Sequence, residues 1–224
     1  MEAKIPMEAR ILGEPCIHAE ARISVIESKD CLKVTLLFCW SLGEGNTVSD
    51  QRVERIIEKI GTYPDFPKPG IIFKDIFSVL ADPSVFKDLM IVCEERIRIM
   101  GPDVDVVMGL ESRGFLLSTP LALALGVPFV PVRKKGKLPG KLKQKSYSLE
   151  YGTDVFEAQA NSITPGQKVV IVDDLLATGG TMKAACNLVK AMTGSVALCL
   201  VCIELEGLKG RNKLEDPSES VVRF

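Results

Sequence analysis

Histidine is all but missing from this chain: among its 224 residues only His18 carries an imidazole. That excludes a Ser/His or Cys/His nucleophilic pair in the body of the chain, and a histidine-rich metal site with it. A disulfide framework is missing too, because the seven cysteines are odd in number and follow no framework spacing. Reduced thiols in the cytosol are therefore expected. Cys199 and Cys202 have the separation of a metal or redox pair, yet they belong to a strand-like run over 196–203, where residues three apart point to opposite faces. Excess charge of one sign is absent: a net charge of -1 gives no support to a general nucleic-acid or anionic-membrane binder. The apolar run over 31–42 is interrupted by Lys33 and is too short to span a bilayer. The acids that precede it make a poor signal or transit peptide. These exclusions lead to the expectation of a cytoplasmic protein with no nucleic-acid or membrane partner.

A hydrophobic content of 46% beside 25% charged residues suits a globular domain with a substantial core. Residues 1–48 look unlike the rest and form an extension of unknown role. An added edge strand or hairpin, a disordered tail and a translated segment without biological use are all open. Residues 49–224 are regular and are read as the functional domain. Val53, Ile56, Ile57 and Ile60 recur at i, i+3, i+4, i+7 and predict a helix. Asp82-Pro83 reads as an N-cap with proline at the first helical position, opening a helix with Phe86, Leu89, Met90, Cys93 and Ile97 on one face. Strands are expected over 104–110, 127–132, 168–172 and 196–203, with helices near 115–125 and 182–192. Such alternation predicts an α/β fold with a mostly parallel twisted sheet flanked by helices. Residues 133–160 break the rhythm and are too long for an ordinary connection, so a lid or binding loop is expected there.

The most informative stretch is Val169-Val170-Ile171-Val172-Asp173-Asp174-Leu175-Leu176-Ala177-Thr178-Gly179-Gly180-Thr181. Four β-branched residues predict a strand buried on both faces. Two carboxylates end it, and Met182, Ala185, Leu188, Val189 and Met192 then recur at helical spacing. A parallel sheet presents ligands at the carboxyl ends of its strands. The loop N–H groups, the Thr178 and Thr181 hydroxyls and the helix start are suited to one phosphate, and the carboxylates to the hydroxyls of an attached sugar. The Gly-Lys-Ser/Thr ending of a Walker loop is missing.

This stretch resembles the phosphoribosyl-diphosphate (PRPP) motif of the type I phosphoribosyltransferases. Further blocks extend the likeness: Phe66-Pro67-Lys68-Pro69-Gly70-Ile71-Ile72-Phe73-Lys74-Asp75-Ile76, Gly109-Leu110-Glu111-Ser112-Arg113-Gly114-Phe115, Arg133-Lys134-Lys135-Gly136-Lys137-Leu138-Pro139-Gly140 and Tyr147-Ser148-Leu149-Glu150-Tyr151-Gly152. Together they resemble the adenine phosphoribosyltransferases from about residue 48 onward. The resemblance implies the type I phosphoribosyltransferase fold with a small hood and a flexible lid loop. It also implies transfer of 5-phosphoribosyl from PRPP to N9 of adenine, giving AMP and diphosphate in purine salvage. By the same resemblance Asp173, Asp174, Ala177, Thr178, Gly179, Gly180 and Thr181 would bind the ribose and 5′-phosphate. Glu111, Ser112 and Arg113 would bind the diphosphate, with a non-proline cis bond between Glu111 and Ser112, and Arg133 and Lys137 would reach it from the lid. Ile72, Phe73 and Lys74 would meet adenine through backbone groups and stacking, with Leu205 as an opposite wall, and Glu150 would handle the base proton. Mg²⁺ would be carried by PRPP rather than by direct protein ligands, and a homodimer is expected.

Two alternatives stand beside this reading. A transferase for xanthine or another 6-oxopurine would keep the fold and change the base. A PRPP-sensing regulator of nucleic acid would need a DNA-binding module, and the N-terminal residues hold more acids than bases with no helix-turn-helix pattern.

Overall fold

A computed structural model describes residues 50–100, 103–148 and 153–224, together with two dipeptide strands, β1 (Arg22–Ile23) and β2 (Leu36–Leu37), which pair antiparallel. Contacts divide the chain into two units, Met1–Val48 and Ser49–Phe224. All further elements belong to the second unit. They run α1 (Gln51–Lys59), β3 (Gly61–Pro64), β4 (Ile72–Asp75), α2 (Phe77–Leu80), α3 (Pro83–Met100), β5 (Val106–Leu110), α4 (Arg113–Leu125), β6 (Phe129–Lys134), β7 (Leu142–Ser148), β8 (Thr153–Gln159), β9 (Lys168–Leu176), α5 (Gly180–Ala191), β10 (Ser195–Glu204) and β11 (Ser218–Arg223). Two 3-10 turns, Glu206–Leu208 and Gly210–Lys213, lie between β10 and β11.

The main sheet has seven strands in the order β11-β10-β9-β5-β6-β8-β7. From β11 to β6 all neighbours are parallel, while β8 joins β6 and β7 antiparallel. Strand β9 shows why the sheet needs cover on both faces. Val170 and Val172 enter a core with Leu89, Leu117 and Leu121 on the α3–α4 side. Val169 and Ile171 enter another with Ala185, Leu188 and Val189 of α5. Each fully buried valine, leucine or isoleucine among these contributes about 1.5–3 kcal/mol of transfer free energy. Cys199 and Cys202 fall into opposite cores, as strand alternation requires. Cys199 meets the thiol of Cys186, and the hydrogen bond with Cys93, then burial, raise the Cys202 pKa well above the ordinary thiol value.

The expected helices and parallel strands are present with boundaries moved by a few residues. Asp82 caps α3, its carboxylate accepting from the Ser84 N–H at 3.1 Å and the Ser84 hydroxyl at 2.7 Å. The connection over 133–160 differs from the loop expected there. Most of it is the antiparallel hairpin β7–β8, paired from Leu142↔Gln159 to Ser148↔Thr153. The basic residues Lys143 and Lys145 stand on β7 at the sheet's edge, where lysine discourages pairing with a second chain. Strands β3 and β4 form a separate two-stranded sheet, the small hood.

Candidate active site

The topology places a crevice between β5 and β9. After β5 the chain moves one way across the sheet to β6, and after β9 it moves the other way to β10, so the loops leaving their carboxyl ends diverge. A cleft of about 370 Å³ opens there. It is lined by Glu111, Ser112 and Arg113 from the β5–α4 turn and by Asp173, Asp174, Ala177, Thr178, Gly179 and Thr181 from the β9–α5 segment.

Arg113 is the first residue of α4 and Gly180 the first of α5, so both helices point their N-termini toward this end of the sheet. The first N–H groups of a helix have no partner inside it and favour anions. Gly114 lets α4 come close: a Cβ there would lie 2.8 Å from the Val172 carbonyl oxygen and 3.0 Å from Asp173 Oδ1. The Glu111–Ser112 peptide bond is cis.

Strand alternation puts Asp174 on the face that α4 covers, and Arg113 Nε donates to its Oδ2 at 2.5 Å. Asp173 Oδ1 accepts from the Asp174 N–H at 3.0 Å. Burial, then the adjacent Asp174 carboxylate, push the Asp173 pKa well above the ordinary carboxylate value. An acid so perturbed, with a second carboxylate beside it in a crevice, marks a functional candidate.

On the opposite lip Glu111 accepts from the Lys134 N–H at 2.9 Å and from Arg133 Nη2 at 3.2 Å. Burial opposes its ionisation, but these Arg133 and backbone hydrogen bonds hold its pKa below the usual value. Arg133 therefore adjoins the cleft through Glu111. Lys134 lines the cleft directly and pairs with Asp154 at 3.1 Å. Lys137 is exposed and does not line the cleft; its backbone N–H donates to Glu157 Oε1 at 2.8 Å. Glu157 is buried and also accepts from the Leu138 N–H at 3.0 Å and Gln144 at 3.2 Å, pinning the turn before the hairpin.

The expected adenine-binding positions are not among the residues lining the cleft. Ile72, Phe73 and Lys74 are on β4 of the hood, outside the residues lining the cleft. Phe73 meets Phe66 edge-to-face at 5.2 Å, and Lys74 Nζ sits 3.7 Å from the Phe224 ring centroid and 3.1 Å from Thr62 Oγ1. Leu205 donates its N–H to the carbonyl of Leu176, a cleft residue, at 3.0 Å. Glu150 lies outside the described residues. The pairs Lys134–Asp154 and Arg133–Glu111 and the anchor Glu157 carried no signal in the sequence, because each joins residues about 20 positions apart across β6 and the hairpin.

A family model described as a phosphoribosyl transferase domain matches residues 78–223. The adenine phosphoribosyltransferase of Drosophila pseudoobscura pseudoobscura is 49% identical over 176 residues, covering 79% of this chain and 97% of that protein. Adenine phosphoribosyltransferase 1 of Triticum aestivum is 49% identical over 168 residues, 75% of this chain and 92% of its own length. Among solved structures, the adenine phosphoribosyltransferase of Saccharomyces cerevisiae, complexed with an imino-altritol bisphosphate and adenine, superposes with a TM-score of 0.75 at 41% identity. That match covers 77% of this chain and 99% of the yeast chain.

Proposed function

Since the chain belongs to the adenine phosphoribosyltransferase family, we propose that it uses the crevice between β5 and β9 to transfer 5-phosphoribosyl from PRPP to N9 of adenine, releasing AMP and diphosphate. The observation that carries this reading is one crevice holding two helix N-termini and an acidic pair, with Arg113 beside them. In it the Ala177–Thr181 loop and the start of α5 bind the 5′-phosphate, and Asp173 and Asp174 accept hydrogen bonds from the ribose hydroxyls. Ser112 and Arg113 take the diphosphate, with Lys134 adding positive charge at the lip. Charge that leaves with the diphosphate meets these donors, while the carboxylates lie near the positive charge growing on the ribose ring. Glu150 is assigned the base proton, and the hood strand β4 with Leu205 is assigned the adenine.

Mg²⁺ prefers hard oxygen donors and keeps several waters. Asp173 and Asp174 supply such oxygens, but Asp174 is already paired with Arg113. No cluster of three metal-ligating side chains occurs among the described residues. The cation would be held as part of the PRPP complex, close to Asp173 and Asp174, and would neutralise diphosphate charge.

A homodimer is proposed from Leu116 and Leu123, which lie i, i+7 on one face of α4 and are 46% and 79% exposed. A cytoplasmic setting is supported by the free, buried thiols Cys93, Cys186, Cys199 and Cys202. The reaction is tested by incubating the protein with PRPP, Mg²⁺ and each purine base in turn. AMP should form from adenine alone, and turnover of hypoxanthine or xanthine in preference would refute the assignment of the base.

A further inference from the structure

Beyond β10 the chain folds back under the cleft. The second 3-10 turn begins at Gly210, which is buried against the loop proposed to hold the 5′-phosphate. A Cβ on Gly210 would overlap the Ala177 carbonyl oxygen and lie 2.8 Å from the Gly179 nitrogen. From the other side, a Cβ on Gly179 would overlap the Gly210 carbonyl and lie 3.2 Å from its Cα. Two backbones are thus in direct contact. Gly179 needs glycine for its φ of 78° as well. Gly210 has no left-handed φ, so its requirement is purely steric.

The next residue locks this contact in place. Arg211 Nε and Nη2 form a fork on the Glu204 carboxylate at the end of β10, at 3.0 and 2.5 Å. Arg211 also donates to the Ser220 hydroxyl at 3.0 Å and to the Ser218 carbonyl on β11. Ser220 completes the arrangement by donating to Glu204 Oε2 at 2.7 Å. Glu204 is only 5% exposed, so the carboxylate of this bidentate pair is shielded from water while Arg211 is half-buried. The turn carrying Gly210 is therefore fastened to two strands while its backbone presses on the loop.

We propose that Gly210 is a positioning residue, a backstop fastened by the Arg211–Glu204 pair that sets where the Ala177–Gly179 backbone stands and so tunes affinity for a sugar 5′-phosphate. The inference rests on the reading that this loop takes the phosphate of PRPP. It gives the Gly210–Lys213 turn a role in substrate affinity without any contact to substrate.

The test is steady-state kinetics and ribose 5-phosphate calorimetry on the full chain and three variants. Gly210→Ala should raise KM for PRPP, and weaken ribose 5-phosphate binding, by about tenfold or more, while KM for adenine stays within about twofold. Arg211→Lys, which replaces a planar fork by a point charge, should shift the same two quantities in the same direction by less. Gly207→Ala, in the neighbouring turn with open space around it, should match the unaltered chain. Should Gly210→Ala fail to fold, Arg211→Lys supplies both readouts. Unchanged PRPP and ribose 5-phosphate affinities, or equal rises in both KM values, would overturn the proposal. An unaltered chain that takes up no ribose 5-phosphate would instead overturn the phosphate-loop reading itself.

Discussion

The two lips of the cleft are built by different physics. On the β9 side, backbone is held against backbone, with Gly114 admitting α4 to β9 and Gly210 admitting the second 3-10 turn to the Ala177–Gly179 loop at contact distance. On the hairpin side, charged side chains do the holding: Glu111 to Arg133, Lys134 to Asp154 and Glu157 to the turn before β7. Backbone contacts are short-ranged and indifferent to salt or pH, whereas ion pairs respond to both. A rigid lip thus faces one whose setting changes with conditions.

The largest effect expected on the rigid lip comes from Asp173→Asn. Loss of the charge that meets the ribose should lower AMP formation by about 10²-fold or more. Its stability should change in the opposite sense. The folded-state pKa of Asp173 is raised, so between the unfolded value near 3.8 and that raised value the folded state binds the extra proton and stability falls as pH rises. At neutral pH asparagine removes this penalty while keeping an oxygen to accept the Asp174 N–H, and Tm of the ligand-free protein should rise. A variant with lost activity and lowered Tm would show that the pair is structural.

The next effect belongs to the other lip. Glu157→Ala leaves the N–H groups of Lys137 and Leu138 without their acceptor and should cost about 1–3 kcal/mol in denaturant unfolding. An unchanged midpoint would mean that water replaces the carboxylate without loss.

Acid should loosen both lips. Glu204 is held below the ordinary 4.5 by Arg211 hydrogen bonds. Burial opposes ionisation at Glu111 and Glu157, yet hydrogen bonds from Arg133 and the Lys134 N–H at Glu111, and from the backbone N–H groups of residues 136–138 at Glu157, keep both below the same value. For a depressed carboxylate the stabilisation is complete above the unfolded pKa and is lost as pH falls through the folded one. Tm should therefore drop below about pH 4.5, and Glu157→Gln should flatten that drop. The smallest effect is expected at the exposed pair: Lys134→Ala should raise KM for PRPP a few-fold at low salt, and by less at about 1 M salt, where charges beyond about 3 Å are screened.

Much of the rigid lip was legible in the sequence because its parts are local. Strand β9, its acidic pair, the loop and the face of α5 follow one another without interruption, and hydrophobic period plus turn chemistry suffice to place them. The Leu110–Phe115 turn was legible for the same reason. The hairpin was not, because Lys143 and Lys145 alternate with residues that read equally well as a solvated loop, and only pairing with β8 makes them a strand. Gly210 was illegible as well. Nothing around it in the chain announces that Ala177 will stand against it, and Arg211 finds Glu204 and Ser220 only after β10 and β11 have paired.

The central claim is that the crevice between β5 and β9 holds PRPP by both of its charged ends. A crystal structure with PRPP and Mg²⁺ tests it most directly. The account predicts the 5′-phosphate among Thr178, Gly179, Gly180 and Thr181, the ribose hydroxyls on Asp173 and Asp174, and the diphosphate at Ser112 and Arg113. Density for the sugar phosphate anywhere else in the molecule, with this crevice filled by water alone, would contradict it.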